Sequence, residues 1–265
     1  MAAPLQPRQD DVGAELRLRA LGGIPHVQPG DDMGALILAA LDRCGESLHD
    51  GDAIVLAQKI VSKAEGRLVE LATVEPSARA LVLAREAHKD PRLVELILRE
   101  SSEVLRCAPG VIVAEHRLGF VMANAGIDQS NVVQQGDGIA LLLPVDPDAS
   151  CTAIRERLKE ATGADVAVLV IDSHGRAWRN GTVGVAIGVA GIPAVVDLRG
   201  EQDLYGRELR LTEVGLADEL ASAASMIMGQ AAEGRPVVLA RGIPYARRAG
   251  SSRELVRPRA IDLFR

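Results

Sequence analysis

The sequence predicts a mixed α/β fold, in which mixed sheets are flanked by helices. Short apolar runs bounded by turn residues, such as 53–57 and 166–171, are typical of buried strands. Between such runs lie segments in which apolar residues recur at helical spacing, for example 150–161. The 265 residues are 48% hydrophobic and 25% charged, so the chain has ample material for a packed core.

Cap and turn residues define the expected elements in the first half of the chain. Asp32 is expected to cap an amphipathic helix that Gly45 ends. Asp90 and Pro91 predict the start of a later helix, because proline suits the first helical position. The expected elements are a helix at 32–45, a strand at 53–57 followed by a polar segment at 58–67, helices at 77–88 and 90–105, a strand at 111–114 and its hairpin or neighbour at 117–123.

The clearest buried strand, 166–171, lies in the second half and is expected to end at Asp172. Before it, Ser150 is expected to cap a helix. After it, a glycine-rich run at 181–191 suits close packing between strands or against a ligand. A last helix is expected from Thr212, with Gly229 as its C-cap, and a last strand at 237–239. No linker is long enough to separate independent domains.

Composition excludes several classes of function. Five aromatic residues are too few for a base-stacking platform or an aromatic cage. Three well-separated cysteines, without a CxxC motif, predict neither a disulfide framework nor a zinc site. Without a signal segment or a long apolar run, a cytoplasmic protein with no membrane or nucleic-acid partner is expected. With a net charge of −6, an anionic ligand would need a metal cation or a focused basic pocket.

Two acidic turns are candidates for a metal site. Asp128 and Asp172 each follow apolar residues at the point where a strand is expected to give way to a loop. Two converging carboxylates could hold Mg²⁺ or Mn²⁺ through oxygen ligands. The alternative is that each aspartate caps its own turn through backbone amides.

Lys59 and Lys63 are candidates for phosphate contacts. Their spacing of four residues would place both on one side of a helical turn, although an exposed amphipathic segment fits equally well. Neither a P-loop nor a GxGxxG fingerprint is present, so nucleotide binding would need another fold. His174, in a polar turn, is expected to be solvated.

Six ordered blocks of sequence carry a resemblance to a known family. They are Gly23-Ile-Pro25, Ser62–Arg67, Asn124–Asn131, Asp172–Arg176, Asp203–Leu209 and Ala217–Glu219. Together they resemble the coenzyme F420-0:L-glutamate ligase family from about Leu21 to Gly242. The resemblance implies a fold peculiar to that family, with two intertwined lobes, and a homodimer. It divides the chain into a flexible segment at 1–20, a catalytic domain at 21–245 and an arginine-rich tail at 246–265.

The resemblance also implies an activity. Members of such a family would use GTP and Mn²⁺ or Mg²⁺, with K⁺ as a further candidate cation, to add L-glutamate to a deazaflavin precursor, F420-0. Further glutamates would follow through γ-linkages, and an acyl phosphate would be the activated intermediate. Two other functions stay open: a metal-dependent nucleotide hydrolase or phosphotransferase, and a nucleotide-binding module without catalysis.

Site residues follow from the resemblance, position by position. Asp128 and Asp172 match metal aspartates, with Ser173 and Gln230 beside them as further metal ligands. The catalytic set is Asp128, Asp172 and Lys63. The residues matched to nucleotide contacts are Ile24, Pro25, His26, Val27, Gln58, Lys59, Lys63, Asn131, Met228, Gly229 and Gln230. Gln230 stands where some relatives have glutamate, and Gln58-Lys59 replaces a pair of small hydroxyl residues.

Overall fold

The computed structural model describes residues 14–132 and 138–263, which form a mixed α/β architecture as predicted. The strands are β1 (Arg17–Ala20), β2 (Ala53–Ala57), β3 (Leu68–Glu70), β4 (Ser101–Ala108), β5 (Val111–His116), β6 (Val121–Ala123), β7 (Ile139–Leu141), β8 (Ala167–Arg176), β9 (Arg179–Ala190), β10 (Val196–Asp197), β11 (Glu213–Val214) and β12 (Val237–Arg241). The α-helices are α1 (Met33–Arg43), α2 (Gln58–Ala64), α3 (Ala78–Ala87), α4 (Pro91–Glu100), α5 (Pro147–Thr162) and α6 (Leu216–Met228). In these described residues no helix has the length and apolar character needed to cross a membrane.

The main sheet has the strand order β1-β12-β2-β8-β9. Strands β2 and β8 run parallel, and the other neighbours are antiparallel. The sheet is buried on both faces, because α1 and α5 cover one face and α6 covers the other. Val170 therefore joins one apolar cluster while its neighbour Ile171 joins the other, which fixes the direction of every following side chain on β8.

A smaller layer combines the antiparallel meander β4-β5-β6 with α3 and α4. Its own apolar core includes Ile97 of α4 and Ile112 of β5. The predicted cap of α4 is confirmed, because Asp90 accepts from Arg92 N. Ser77, the first residue of the helix expected at 77–88, caps α3 by accepting from Ala80 N. Strands β3 and β7 form a separate antiparallel pair.

Two helix predictions are wrong at their starts or ends. The helix expected at 90–105 ends at Glu100, because the next residues have extended backbone and pair with β5 as strand β4. The helix expected to begin near Thr212 begins at Leu216, because Glu213 and Val214 pair with β10 as β11.

Two further predictions on either side of the buried strand need correction. Asp146, rather than Ser150, caps α5 by accepting from Ala149 N at 3.1 Å. The strand expected to stop before Asp172 continues to Arg176, because β9 pairs with it along this whole stretch. Asp172 therefore lies within a strand. Its position opposite Val185 of β9 is fixed by the ladder of backbone hydrogen bonds.

The glycines of β9 allow close packing, as expected. A Cβ atom at Gly188 would lie 2.5 Å from the carbonyl oxygen of Pro147, and one at Gly184 would clash with the backbone of Ala221 on α6. Both helices that cover this strand therefore approach it at glycine positions.

The described parts of both terminal segments are attached to the rest of the fold. Residues 17–20 of the predicted N-terminal segment form β1, which pairs with β12, while residues 1–13 lie outside the described part. In the predicted tail, Ser251 and Ser252 donate hydrogen bonds to Asp148 of α5.

Candidate active site

Parallel pairing of β2 and β8 brings two site segments to one edge of the main sheet. Ala57, the last residue of β2, lies opposite Ile171 of β8. Helix α2 starts directly after Ala57, and Asp172 directly follows Ile171. The carboxyl ends of parallel strands are where ligand sites of α/β sheets commonly form.

Asp128 joins this edge from a loop that is hydrogen-bonded to β7. Its backbone exchanges two hydrogen bonds with Leu141, at 3.0 and 2.8 Å. Its carboxylate lies 2.6 Å from Lys59 Nζ, and Ser130 N donates to it at 2.7 Å. Lys59 also donates to Ser130 Oγ at 2.8 Å. Burial raises the pKa of Asp128, but the hydrogen bonds from Lys59 and Ser130 outweigh it and leave the pKa lowered.

Asp172 lies in the electrostatic field of Asp128. Its pKa is raised to about 6, mainly by burial and also by the negative charge of Asp128. The hydrogen bond from the Ser173 amide and the charge of Lys59 lower this pKa but do not outweigh the increase. The positive charge near Asp172 is thus too small to offset the effect of burial on its ionised form. A cation at this edge would stabilise its ionised form.

His174 is largely buried, so the expectation of a solvated histidine is wrong. Its side chain is 15% exposed because it lies in strand β8 on the same face as Asp172, with 3.6 Å between Nε2 and Asp172 Oδ2. Burial lowers its pKa to about 4, and Nε2 has no hydrogen-bond partner within the described residues. At neutral pH His174 is therefore uncharged and offsets none of the negative charge.

Lys63 connects α2 to the loop that follows Asp128. Its Nζ donates to Asn131 O at 2.8 Å, and Asn131 Nδ2 donates to Ala231 O at 3.1 Å. The pKa of Lys63 is lowered by partial burial and by the nearby charge of Lys59. The two lysines predicted to contact phosphate thus lie on one side of α2, close enough for their charges to interact.

Ser173 and Gln230 form a second polar group, on the α6 side. Side chains alternate along β8, so Ser173 faces away from Asp172. Its hydroxyl donates to Gln230 Oε1 at 2.8 Å, and Gln230 Nε2 donates to Ser225 Oγ at 2.7 Å. The four predicted metal ligands therefore occur as two pairs. The hydrogen bond from Asn131 to Ala231, the neighbour of Gln230, links the loop after Asp128 to the Ser173–Gln230 pair.

The remaining predicted nucleotide contacts lie around α2 and the end of α6. The segment 24–27 is attached by Gly30, which follows it and donates to Ala64 O at 2.8 Å. Gln58 is buried, accepts from Ser62 Oγ, and keeps its Nε2 unpartnered among the described residues. Met228 is buried, and Gly229, the C-cap of α6, has a φ of 79°, which favours glycine.

A cavity of about 1040 Å³ adjoins Asp172. Strand β6, the β8-β9 hairpin and residues of the C-terminal tail line it. Sequence reasoning missed this cavity, because its walls come from segments that are distant in sequence and carry no shared motif.

The predicted metal ligands all offer oxygen atoms. Within 14–132 and 138–263, no cluster of three or more histidine, cysteine, aspartate or glutamate side chains is arranged to hold a metal. Two carboxylates with neutral hydroxyl and amide oxygens suit a hard cation that shares its coordination with substrate phosphates, as Mg²⁺ commonly does. These oxygen atoms are donors of the type that Mn²⁺ or Mg²⁺ binds.

Comparison with known proteins gives a consistent result. Residues 23–242 match the family described as F420-0:Gamma-glutamyl ligase. The chain is 52% identical over 252 residues to "Coenzyme F420:L-glutamate ligase" of Methanothermobacter thermautotrophicus, covering 94% of this chain and 99% of that protein. Proteins of the same name from Methanopyrus kandleri and Archaeoglobus fulgidus are 46% and 41% identical, covering 90% and 92% of this chain and 93% and 94% of theirs. The chain belongs to the F420-0:gamma-glutamyl ligase family.

Proposed function

We propose that this protein is a GTP-dependent ligase that adds L-glutamate to the deazaflavin precursor F420-0 and then adds further γ-linked glutamates. The observation that carries the proposal is the meeting of Lys59 and Lys63 with Asp128 and Asp172 at one sheet edge. Phosphoryl transfer needs this combination of fixed positive charges and oxygen ligands. Membership of a ligase family supports the reaction class.

The chemistry requires activation, because a carboxylate is a poor acylating agent. The γ-phosphoryl group of GTP is transferred to the terminal carboxylate of the acceptor. A carboxylate oxygen forms the new P–O bond, the bond between the γ-phosphorus and the bridging oxygen breaks, and GDP leaves. The amine of L-glutamate then attacks the acyl carbon, phosphate departs, and the amine loses a proton to give the amide.

The lysines hold the phosphate groups in this proposal. Lys63 is fixed by Asn131 O and offers a partly buried charge to phosphate oxygens. Lys59 lies 2.6 Å from Asp128, and a cation held by Asp128 would leave the charge of Lys59 available to the nucleotide. Bound with the nucleotide, Mn²⁺ or Mg²⁺ held by Asp128 and Asp172 would neutralise the charge that develops on the transferred group.

Ser173 and Gln230 serve a second cation position in this proposal. Gln230 offers a neutral amide oxygen where a carboxylate would offer a charge, so this position binds a divalent cation more weakly than a glutamate would allow. In this proposal the backbone around Gly229 and the segment 24–27 complete the nucleotide contacts; Asn131 links the loop after Asp128 to Ala231, two residues after Gly229.

We also propose a homodimer. Three large apolar side chains between β10 and β11 are almost fully exposed: Leu204 at 80%, Tyr205 at 90% and Leu211 at 91%. Such a patch commonly marks an interaction surface. Light scattering coupled to size-exclusion chromatography tests this proposal, and a monomeric mass at micromolar concentration would contradict it.

The function is tested with purified protein, MnCl₂, L-glutamate, F420-0 and either GTP or ATP. Mass spectrometry is expected to show products heavier by successive glutamyl residues, with one phosphate released per bond formed. The Asp128→Asn variant is expected to give no product, whereas Asp42→Asn, which changes an exposed carboxylate on α1, should react normally. Rapid phosphate release without F420-0 would instead indicate a hydrolase, and nucleotide binding without any turnover would indicate a binding module.

A further inference from the structure

The large cavity beside Asp172 has one wall that lies outside the matched family region. We name residues 251–263 the C-terminal strap. The family match ends at residue 242, yet Leu255, Val256 and Arg257 of the strap line the cavity. Val256 packs against Gly119, which also lines the cavity. A Cβ atom added to Gly119 would lie 3.3 Å from Val256 Cγ1.

The strap is attached at both of its ends. At its start, Asp148 of α5 accepts from Ser251 Oγ at 2.7 Å and from Ser252 N at 3.0 Å. Near its other end, Arg259 forms an ion pair with Glu103 of β4 at 2.5 Å. These contacts hold the strap over the space between the main sheet and the smaller layer.

Four arginines and three aspartates line this cavity, so its charged side chains are slightly basic in a chain whose net charge is −6. Arg106 of β4, Arg176 and Arg179 of the β8-β9 hairpin, and Arg257 of the strap all line it. Because these arginines come from three separate elements, the fold rather than local sequence brings them together. Arginine is well suited to bind phosphate and carboxylate groups through paired hydrogen bonds.

Three aspartates also line the cavity, at different places along its wall. Asp172 marks the end that reaches the proposed catalytic edge. Asp218 is occupied by a hydrogen bond from Ala186 N at 2.9 Å, and Asp262 belongs to the strap. Between the charged groups lie apolar side chains, including Val121, which is 42% exposed, and Leu255.

We infer that this cavity binds the deazaflavin acceptor, with its anionic chain held by the arginines and its flat ring packed against the apolar wall that includes the strap. The inference rests on the proposed function. The volume of about 1040 Å³ lies at the upper end of the range for small-molecule sites, roughly 300 to 1,000 Å³, and so can hold a ring system with its attached chain. The terminal carboxylate then faces Asp172, while the nucleotide occupies the side of Lys59 and Lys63.

Binding of F420-0 in the absence of nucleotide and metal tests the inference separately from catalysis. In calorimetric titration, the double variant Arg106→Ala with Arg179→Ala is expected to bind F420-0 at least about tenfold more weakly than the parent protein. Each lost arginine removes charge-assisted hydrogen bonds to the acceptor. Val256→Trp should weaken F420-0 binding by filling the cavity. Arg85→Ala, an exposed arginine on α3 outside the cavity, is the matched control and should bind normally.

GDP affinity and the thermal unfolding temperature of each variant show whether the weaker F420-0 binding is a local effect. Both quantities are expected to match those of the parent protein. Unchanged F420-0 binding in all cavity variants of an active ligase would overturn the inference but leave the proposed function intact. If the parent protein binds F420-0 but forms no amide, the proposed function fails, and the variants still decide where the acceptor binds. If the parent protein does not bind F420-0, both the proposed function and the inference about the cavity are overturned.

Discussion

Replacement of Asp172 by asparagine should stabilise the metal-free protein while abolishing ligation. The pKa of Asp172 is raised from its ordinary 3.8 to about 6 by burial and by the charge of Asp128. Since one pKa unit corresponds to 1.36 kcal/mol, ionised Asp172 costs the folded state about 3 kcal/mol above pH 6. Below pH 4 the carboxyl is protonated in both states and the cost disappears.

Proton binding at Asp172 sets the direction in which stability changes with pH. Between about pH 4 and pH 6 the folded state binds more protons at this site than the unfolded state, so stability falls as pH rises. Asparagine keeps an oxygen that can accept from the Ser173 amide and carries no charge. The gain should therefore be near zero at pH 4 and up to about 3 kcal/mol at pH 7.5.

Urea unfolding in EDTA at the two pH values measures this difference, and Asp42→Asn controls for the general change in net charge. A variant that is less stable than the parent protein at pH 7.5, or equally stabilised at both pH values, would refute the reasoning about burial. Measurable ligation by Asp172→Asn in the presence of Mn²⁺ would refute its proposed role.

Other predictions concern the second cation position, the packing of β9 and one ion-pair network. Gln230→Glu should bind Mn²⁺ more tightly or with higher stoichiometry in calorimetry, and identical binding curves would exclude Gln230 as a ligand. Gly188→Ala should lower the free energy of unfolding by about 1–3 kcal/mol, because its methyl group would meet the Pro147 backbone, whereas Gly22→Ala in open space should change little. For Glu100, burial raises the pKa, but His116 Nε2 at 3.4 Å and the charges of Arg67 and Arg117 outweigh it and lower the pKa from 4.5 to about 2. Its ionised form thus stabilises the fold above about pH 4.5 and loses this effect as pH falls toward 2. Glu100→Gln should reduce stability at pH 7 by about 1–2 kcal/mol after allowance for solvent screening, and by little at pH 2; equal losses at both would contradict this.

Strands and caps with strong local signals were predictable from the sequence, whereas long-range pairing was not. The run 53–57 is a strand in the structure with the same bounds, because an apolar segment bordered by turn residues has few alternatives. At Ser101 the helical pattern of α4 continues into residues that pair with β5, and only this partner makes them a strand. Strand β8 likewise extends to Arg176 because β9 pairs with it.

The candidate site shows the same division. The sequence predicted that polar residues after Ala57 and after Ile171 carry chemistry, and parallel pairing of two strands explains their proximity. Sequence reasoning missed the burial of His174, because the turn-like Ser-His-Gly pattern gave no indication that β8 continues. It also missed the arginine-lined cavity, because Arg106 and Arg257 are 151 positions apart.

Transfer of oxygen from the acceptor to phosphate is the most direct test of the proposed reaction. F420-0 labelled with ¹⁸O in its terminal carboxylate is incubated with the protein, GTP, MnCl₂ and L-glutamate. Formation of an acyl phosphate requires that each inorganic phosphate released with a new amide bond carries one ¹⁸O atom. Amide formation that leaves the released phosphate unlabelled would contradict the account.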